Sequence, residues 1–511
     1  MRRSVSNFTK YVALALIAAG AVLRLWLVLR HAMIQGDSNL YAEIARNWVE
    51  AHTYGFSTDT DTVRPTLIRL PGYPLYLVIC RVLFSRWAGT DSFTPALLLQ
   101  VPIDLGTCLL AALTARNLLR LHNSQKTAQR GFLLALALGC LCPFTASYVA
   151  TPLAEPLVLF TIAAAFYCFE RWAAVLRESG GAFNRYLYWL AAVLGYGILL
   201  RPDQALLAAA VVPAMVWVTY RRASSELLSP LGRPVILRDA LESRLSRRAA
   251  NKPHRSVGPI KTGITPALLT LALALLPLVP WTVRNAMTFH VFQPIAPHYA
   301  TDPGEPVDTG FQRWYRSWAI DFDSTEKFYW KYPDEDLDVA QLPDRAFDTE
   351  DQYGKTSQLI QDSNNAPHFH PEIDARFNRI AQDRIAADPL RYYLGLPLAR
   401  LGNMLFHPRT ELLPYDLQWW HYSWHPWQTF VSWLFAGLNV LYFGAGAFGW
   451  FRLRRRVPEV AWPCAAFLAM RCILLMTLDN SEQRYTIEFY PLLFLLIPFV
   501  LATSRRQPAT L

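Results

Sequence analysis

YVALALIAAGAVLRLWLVLRHAMIQGDSNLY, residues 11–41, begins as an apolar run and ends on Gly36-Asp37-Ser38-Asn39-Leu40-Tyr41. As a helix, residues 11–30 rise through about 30 Å, the thickness of a bilayer's hydrocarbon core. Arg2, Arg3 and Lys10 ahead of the run resemble the start of a signal peptide, but no small-residue cleavage pattern follows, so it reads as a retained first span. Asp37 then falls just outside the membrane. Asp37 or Ser38 is suited to cap a short amphipathic helix, because a side-chain oxygen there accepts from a free backbone N–H. Leu40, Ile44 and Trp48 share one face of that helix, which can lie on the membrane or pack on other spans.

With 511 residues, 53% hydrophobic content and a mean hydropathy of +0.16, the chain is too apolar and too long for one soluble core. Candidate spans fall near 11–30, 94–115, 131–150, 156–173, 186–200, 204–220, 265–283, 427–450, 458–478 and 485–503. Residues 71–88, PGYPLYLVICRVLFSRWA, are apolar but short, and they carry Arg81 and Arg86. Read as a span, they put the basic clusters at 116–130 and 221–261 outside. Read as an interfacial helix, they leave every basic cluster inside, as Lys and Arg prefer. The second arrangement predicts an all-α polytopic membrane protein of about ten transmembrane helices, with interfacial helices in the first outer loop and both termini inside. Residues 1–283 form an N-terminal transmembrane region with the outer loop 31–93 and a basic cytoplasmic loop 221–264. Residues 284–426 form a mixed extracytoplasmic segment, and 427–511 hold the C-terminal transmembrane helices.

A net charge of +10 does not point to nucleic acid here, because the basic residues lie in short clusters beside apolar spans. All seven cysteines fall in apolar segments, so neither a disulfide framework nor a zinc spacing is implied. Asp residues crowd 302–351, which predicts a small, partly irregular outer domain. Its second half is more regular: Phe377, Ile380 and Ala381 recur at helical spacing, Pro389 interrupts, and Leu390 to Phe406 is amphipathic. Trp419, Trp420, Tyr422, Trp424 and Trp427 mark re-entry through the aromatic belt of the membrane interface. The absence of a Gly-rich nucleotide loop, H-E-x-x-H and G-x-S-x-G argues against direct use of a nucleotide sugar and against a familiar zinc or serine hydrolase.

The same topology collects Asp37, Arg64, Arg69, Glu155, Arg201, Arg284 and Arg484 on the outer side. Glu155 sits in the tight turn from Tyr148 to Pro156, and an acid there beside lipid is costly unless solvated, paired or ligated. With Asp37 it either shares a divalent cation or divides acid and orienting roles. The arginines supply the guanidinium forks that stabilise a lipid phosphate leaving group. The local alternatives are Arg201 paired with Asp203 or reaching head groups, and Arg484 paired with Glu482.

GDSNLYAEIARNWVEAHTYGFS, RLPGYPLYL, the acid of TPLAEPLVLF, LLRPDQALL, PWTVRNAMTFHVFQPIA and EQRYTIEFYPLL occur in that order. At these residues the chain resembles the GT-C superfamily of membrane glycosyltransferases, particularly family 39, which includes protein O-mannosyltransferases and lipid A aminoarabinose transferases. The resemblance implies a GT-C-like bundle and a sugar donor carried on a polyprenyl or dolichyl phosphate. It implies transfer outside the cytoplasm to a lipid, glycan or protein hydroxyl, with inversion at the anomeric carbon. Asp37 then looks like the acid that deprotonates the acceptor, and Glu155 like the second-loop acid that supports the site. With the arginines named above, Tyr41 and Tyr485 complete the expected substrate contacts. Many relatives carry an Asp-Glu pair where this chain has Asp37-Ser38, which leaves a divalent metal an open question. A bacterial inner membrane is the expected location. A transporter or flippase, or a polymerase or ligase for lipid-linked glycans, needs similar outward arginines, although a transporter should also show internal repeats, and none is seen.

Overall fold

The computed structural model describes residues 2–502 except 35, 61, 90–91, 229–258, 367, 414, 417 and 421–424. Tyr422 and Trp424 of the expected aromatic belt, and most of the basic loop 221–264, lie outside the described residues.

The first span is α1 (Arg2–Arg30), and the loop after it contains α2 (Gly36–Glu50) and α3 (Gly72–Ala88). Between these two helices runs a short antiparallel hairpin, β1 (Gly55–Ser57) with β2 (Val63–Pro65), in which Phe56 faces Arg64. The all-α reading of the sequence passed over this hairpin, because strands of three residues carry too little alternation to register. The bundle continues through α4 (Thr94–Arg120), α5 (Gln125–Cys140), α6 (Pro143–Tyr148), α7 (Glu155–Ser179), α8 (Arg185–Leu200) and α9 (Ala205–Leu228).

Among the described residues, seven helices are long and apolar enough to cross a membrane, or eight if the pair Ile264–Leu275 and Leu278–Phe289, bent by 42°, is one span. The other two expected spans take shorter forms. Helix α8 has sixteen residues. The expected span at 131–150 is broken, since α5 ends at Cys140 and α6 restarts at Pro143, whose ring nitrogen has no N–H to extend the helical ladder. Helix α3 leaves Leu75, Ile79, Val82, Leu83 and Trp87 exposed, an apolar face suited to an interface.

An ion pair at the centre of the bundle ties its first helices together. Arg24 of α1, fully buried, lies 2.5 Å from Asp104 of α4 and donates to the Cys140 carbonyl of α5 at 2.7 Å. One guanidinium thereby ties three helices, as intramembrane charges require. All seven cysteines are free thiols, six of them buried.

The segment 284–426 has a core of its own. Phe311, Trp314 and Trp318 pack against Phe377 of the helix Pro371–Ala387, which buries Phe377, Ile380 and Ala381 on one face, as their spacing requires. The two most enclosed spans are α7 and Gln483–Leu501, with 72% and 78% of their apolar stretches buried. Both begin at or next to residues of the candidate site, so the site sits where the buried centre of the bundle meets the loops.

Candidate active site

Helix α2 presents Asp37 from its first turn, where the free N–H groups of a helix favour an acid. Three residues ahead of α3, Arg69 reaches back across the loop, and its Nη2 donates to Asp37 Oδ1 at 2.8 Å. From the last span, Arg484 Nη1 lies 2.7 Å from Asp37 Oδ2. One carboxylate is thus clamped by two guanidiniums, each only about a fifth exposed. Burial favours the neutral acid, but Arg484 and Arg69 outweigh it and hold the Asp37 carboxyl well below the usual carboxylate range.

Glu155 opens α7 and is almost fully buried. Arg201, at the break between α8 and α9, donates to its Oε1 at 3.2 Å. Arg201 also lies 3.4 Å from Asp203 and 3.6 Å from Glu488, so both the local pairing read from sequence and the partnership with Glu155 are present. Arg484 likewise keeps its local pair with Glu482 while it holds Asp37. The Tyr485 ring lies 5.3 Å from the Arg201 guanidinium and 5.4 Å from that of Arg484, and its hydroxyl donates to Glu482 at 2.8 Å. Asp37, Arg69, Glu155, Arg201, Arg484 and Tyr485 line a cleft of about 200 Å³ together with Tyr41, Pro297 and Ala300. Burial pushes the Tyr41 phenol up, away from ionisation.

Seven of the nine residues singled out from sequence line this cleft: Asp37, Tyr41, Arg69, Glu155, Arg201, Arg484 and Tyr485. Arg64 and Arg284 do not. Arg64, on β2, pairs with Glu305 and is 57% exposed. Arg284 donates to the carbonyls of Thr66 and Tyr54 at 2.7 and 2.9 Å, with its guanidinium over the rings of Tyr54, Trp281 and Phe289. It acts on the site at second hand, because the Tyr54 hydroxyl donates to the carbonyl of Arg69 at 2.9 Å.

Sequence reasoning missed the support under the cleft. Arg471 donates to Asp203 at 2.8 Å, lies 2.6 Å from Glu488, and donates to the Tyr485 carbonyl at 2.8 Å. Gln204 donates to Glu488. Glu482 and Glu488 flank Arg484 in EQRYTIEFYPLL, and their repeat at three-residue steps around Tyr485 was the available signal.

The divalent cation left open by the sequence finds no fitting donor set. Among the described residues no group of three or more His, Cys, Asp or Glu is placed to hold a metal ion. Asp37 spends both carboxylate oxygens on guanidiniums and Glu155 spends one, contacts that a cation would have to displace.

No family model matches the chain, and neither does any curated protein. Among solved structures it is similar to ArnT from Cupriavidus metallidurans bound to undecaprenyl phosphate, with 15% identity and a TM-score of 0.33, over 93% of this chain and 77% of that one. The chemistry is therefore read from the site's own geometry.

Proposed function

We propose that this protein is an integral membrane glycosyltransferase of the GT-C kind. It moves a sugar from a polyprenyl-phosphate donor to an acceptor hydroxyl on the extracytoplasmic face, with inversion. The observation that carries the reading is the clamp on Asp37: an acid held between two arginines in a cleft at the ends of membrane-crossing helices.

As the clamp stands, Asp37 is a weak base, since its proton affinity is suppressed by both guanidiniums. The donor phosphate is a better bidentate partner for Arg69 and Arg484 than one shared carboxylate. As it draws those guanidiniums away, Asp37 regains basicity. Asp37 then takes the acceptor proton, the hydroxyl oxygen attacks the anomeric carbon, and the bond from that carbon to the phosphate oxygen breaks. The departing phosphate carries its charge onto the arginines. Arg201 holds Glu155 and packs on Tyr485, which fixes the far wall of the cleft without a proton transfer of its own.

Vesicles carrying the protein test this with a radiolabelled sugar on undecaprenyl phosphate. The label is expected in a new glycosidic bond, and Asp37→Asn is expected to lower transfer by about 10²–10⁴-fold, the usual contribution of a placed base. Movement of intact labelled lipid across the bilayer with no new bond would replace the transferase with a flippase.

A further inference from the structure

The cleft around Asp37, at about 200 Å³, is smaller than the roughly 300–1,000 Å³ of ordinary ligand pockets, yet the reaction proposed above joins two polar substrates. A second cleft of about 660 Å³ lies between the outer segment and the loop ahead of the last span. The same two stretches of chain line both. Residues 296–300 give Pro297 and Ala300 to the first cleft and Tyr299 to the second, and residues 479–485 give Arg484 and Tyr485 to the first and Asp479 to the second.

The second cleft combines ring faces with balanced polar groups. Tyr299, Tyr392 and Tyr393 contribute amphipathic rings, and Arg313, Arg316, Asp374 and Asp479 contribute charges that cancel. That balance disfavours a polyanion and suits a neutral polyhydroxyl ligand. Aromatic rings take the C–H face of a pyranose, while carboxylates and guanidiniums take its hydroxyls.

The polar groups are already held in place by one another. Arg316 Nε lies 3.2 Å from Asp479 Oδ1, and its guanidinium sits 5.8 Å from the Tyr392 ring. Arg313 donates to Asn378 Oδ1 at 3.0 Å, and Asp374 accepts from the N–H groups of Gly310 and Phe311 at 3.0 and 2.9 Å. Such ordering lowers the entropy cost of binding. Beside Tyr393, the exposed side chains of Leu390, Leu394 and Leu398 repeat at four-residue steps, so the cleft opens next to a face suited to a membrane surface.

We infer that this outer cleft is a saccharide-binding site that receives the sugar-bearing acceptor. The assignment to the acceptor rests on the transferase reading; saccharide binding itself does not. Full-length protein in nanodiscs is tested against neutral hexose and N-acetylhexosamine di- to tetrasaccharides, each free and lipid-anchored. Wild type is expected to retain at least one of them. Tyr393→Ala, at an exposed ring, and Asn378→Ala are expected to weaken that binding by about three- to tenfold, as for loss of one good polar or ring contact. Retention of lipid-anchored forms alone identifies a glycolipid source, and retention of both forms a soluble glycan. If wild type holds none of these saccharides, or both variants hold them as wild type does, the assignment is overturned. A thermal shift with undecaprenyl phosphate reports on the donor reading separately. Saccharide binding lost in Tyr393→Ala, with no lipid shift in wild type, sinks the donor and leaves the cleft standing.

Discussion

Two guanidiniums fix what Asp37 does before any substrate arrives. Its carboxyl is held below the usual range, so the stability drawn from the clamp is fully present above the unfolded carboxyl value of about 4 and is lost only as pH falls through the lower folded value. Arg69→Gln removes one of the two charges and should let the carboxyl rise toward its ordinary value. The acid limb of kcat/KM, which reports the free enzyme, is then expected to move to higher pH in the variant. Donor KM should rise about ten- to hundredfold, matching a lost charge-assisted hydrogen bond of roughly 1.5–3 kcal/mol. An unmoved acid limb would mean that Asp37 is not the titrating base. At this scale the sequence was informative about which charged residues lie near the cleft and less so about which share a partner. Arg284 lies inside a quoted motif as Arg69 does, and Arg64 falls five residues ahead of one, yet Arg64 ends in a surface pair and Arg284 on backbone carbonyls. No residue-type argument separates a guanidinium that faces a cleft from one that braces a loop.

Local geometry at two elements decides what reaches the cleft. The last span begins as a 3₁₀ helix, Gln483–Phe489, before the α-helical turn at Tyr490. At three residues per turn, Glu482, Tyr485 and Glu488 stack along one side, which lets one stretch serve Arg484, Arg201 and Arg471 together. Read with an α-helical period, each three-residue step drifts by about 60°, so the repeat is visible in the sequence but its stacking on one side is not. The second element is α3, whose first residue, Gly72, packs against the backbone of α8. A Cβ there would sit 2.5 Å from the Leu199 carbonyl oxygen. Backbone cannot yield as a side-chain tip can, so Gly72→Ala must push α3 off α8 at a cost of roughly 1–3 kcal/mol. Because Arg69 lies just ahead of α3, the variant is expected to show both a lower unfolding midpoint and a higher donor KM. Gly402→Ala, mid-helix with nothing within 4 Å, should leave donor KM unchanged and raise the midpoint slightly, by the helix preference of Ala over Gly. A fall in midpoint with donor KM intact would show that Arg69 is positioned independently of α3.

Across the whole molecule, charge and contact converge on one topology. Placing α3 along the interface was a charge argument, made to keep every basic cluster on one side. Packing reaches the same result by parity. Were α3 a crossing, the start of α4 and the Glu155 turn would lie on opposite faces of the membrane from Tyr76 or from Asp37. Instead the Tyr76 hydroxyl donates to the Ala96 carbonyl at 2.6 Å, and Tyr73 donates to Gln100, whose amide reaches the carbonyls of Val149 and Thr151 at 3.0 and 3.1 Å. With α4 and the broken pair α5–α6 each counted as one crossing, Asp37 and Glu155 line one cleft only if α3 leaves the chain on the side where it began. Which side faces out is then a matter of labelling. Thr60 at the hairpin tip and Lys355 of the outer segment are exposed, as is His122 between α4 and α5. The native cysteines are buried, apart from the half-buried Cys472. Thr60→Cys and Lys355→Cys are expected to react with a membrane-impermeant maleimide on intact cells, and His122→Cys only after permeabilisation. If Thr60→Cys and His122→Cys react from the same side, α3 crosses the bilayer, Asp37 and Glu155 lie apart, and the single cleft proposed to do the chemistry does not exist in the membrane.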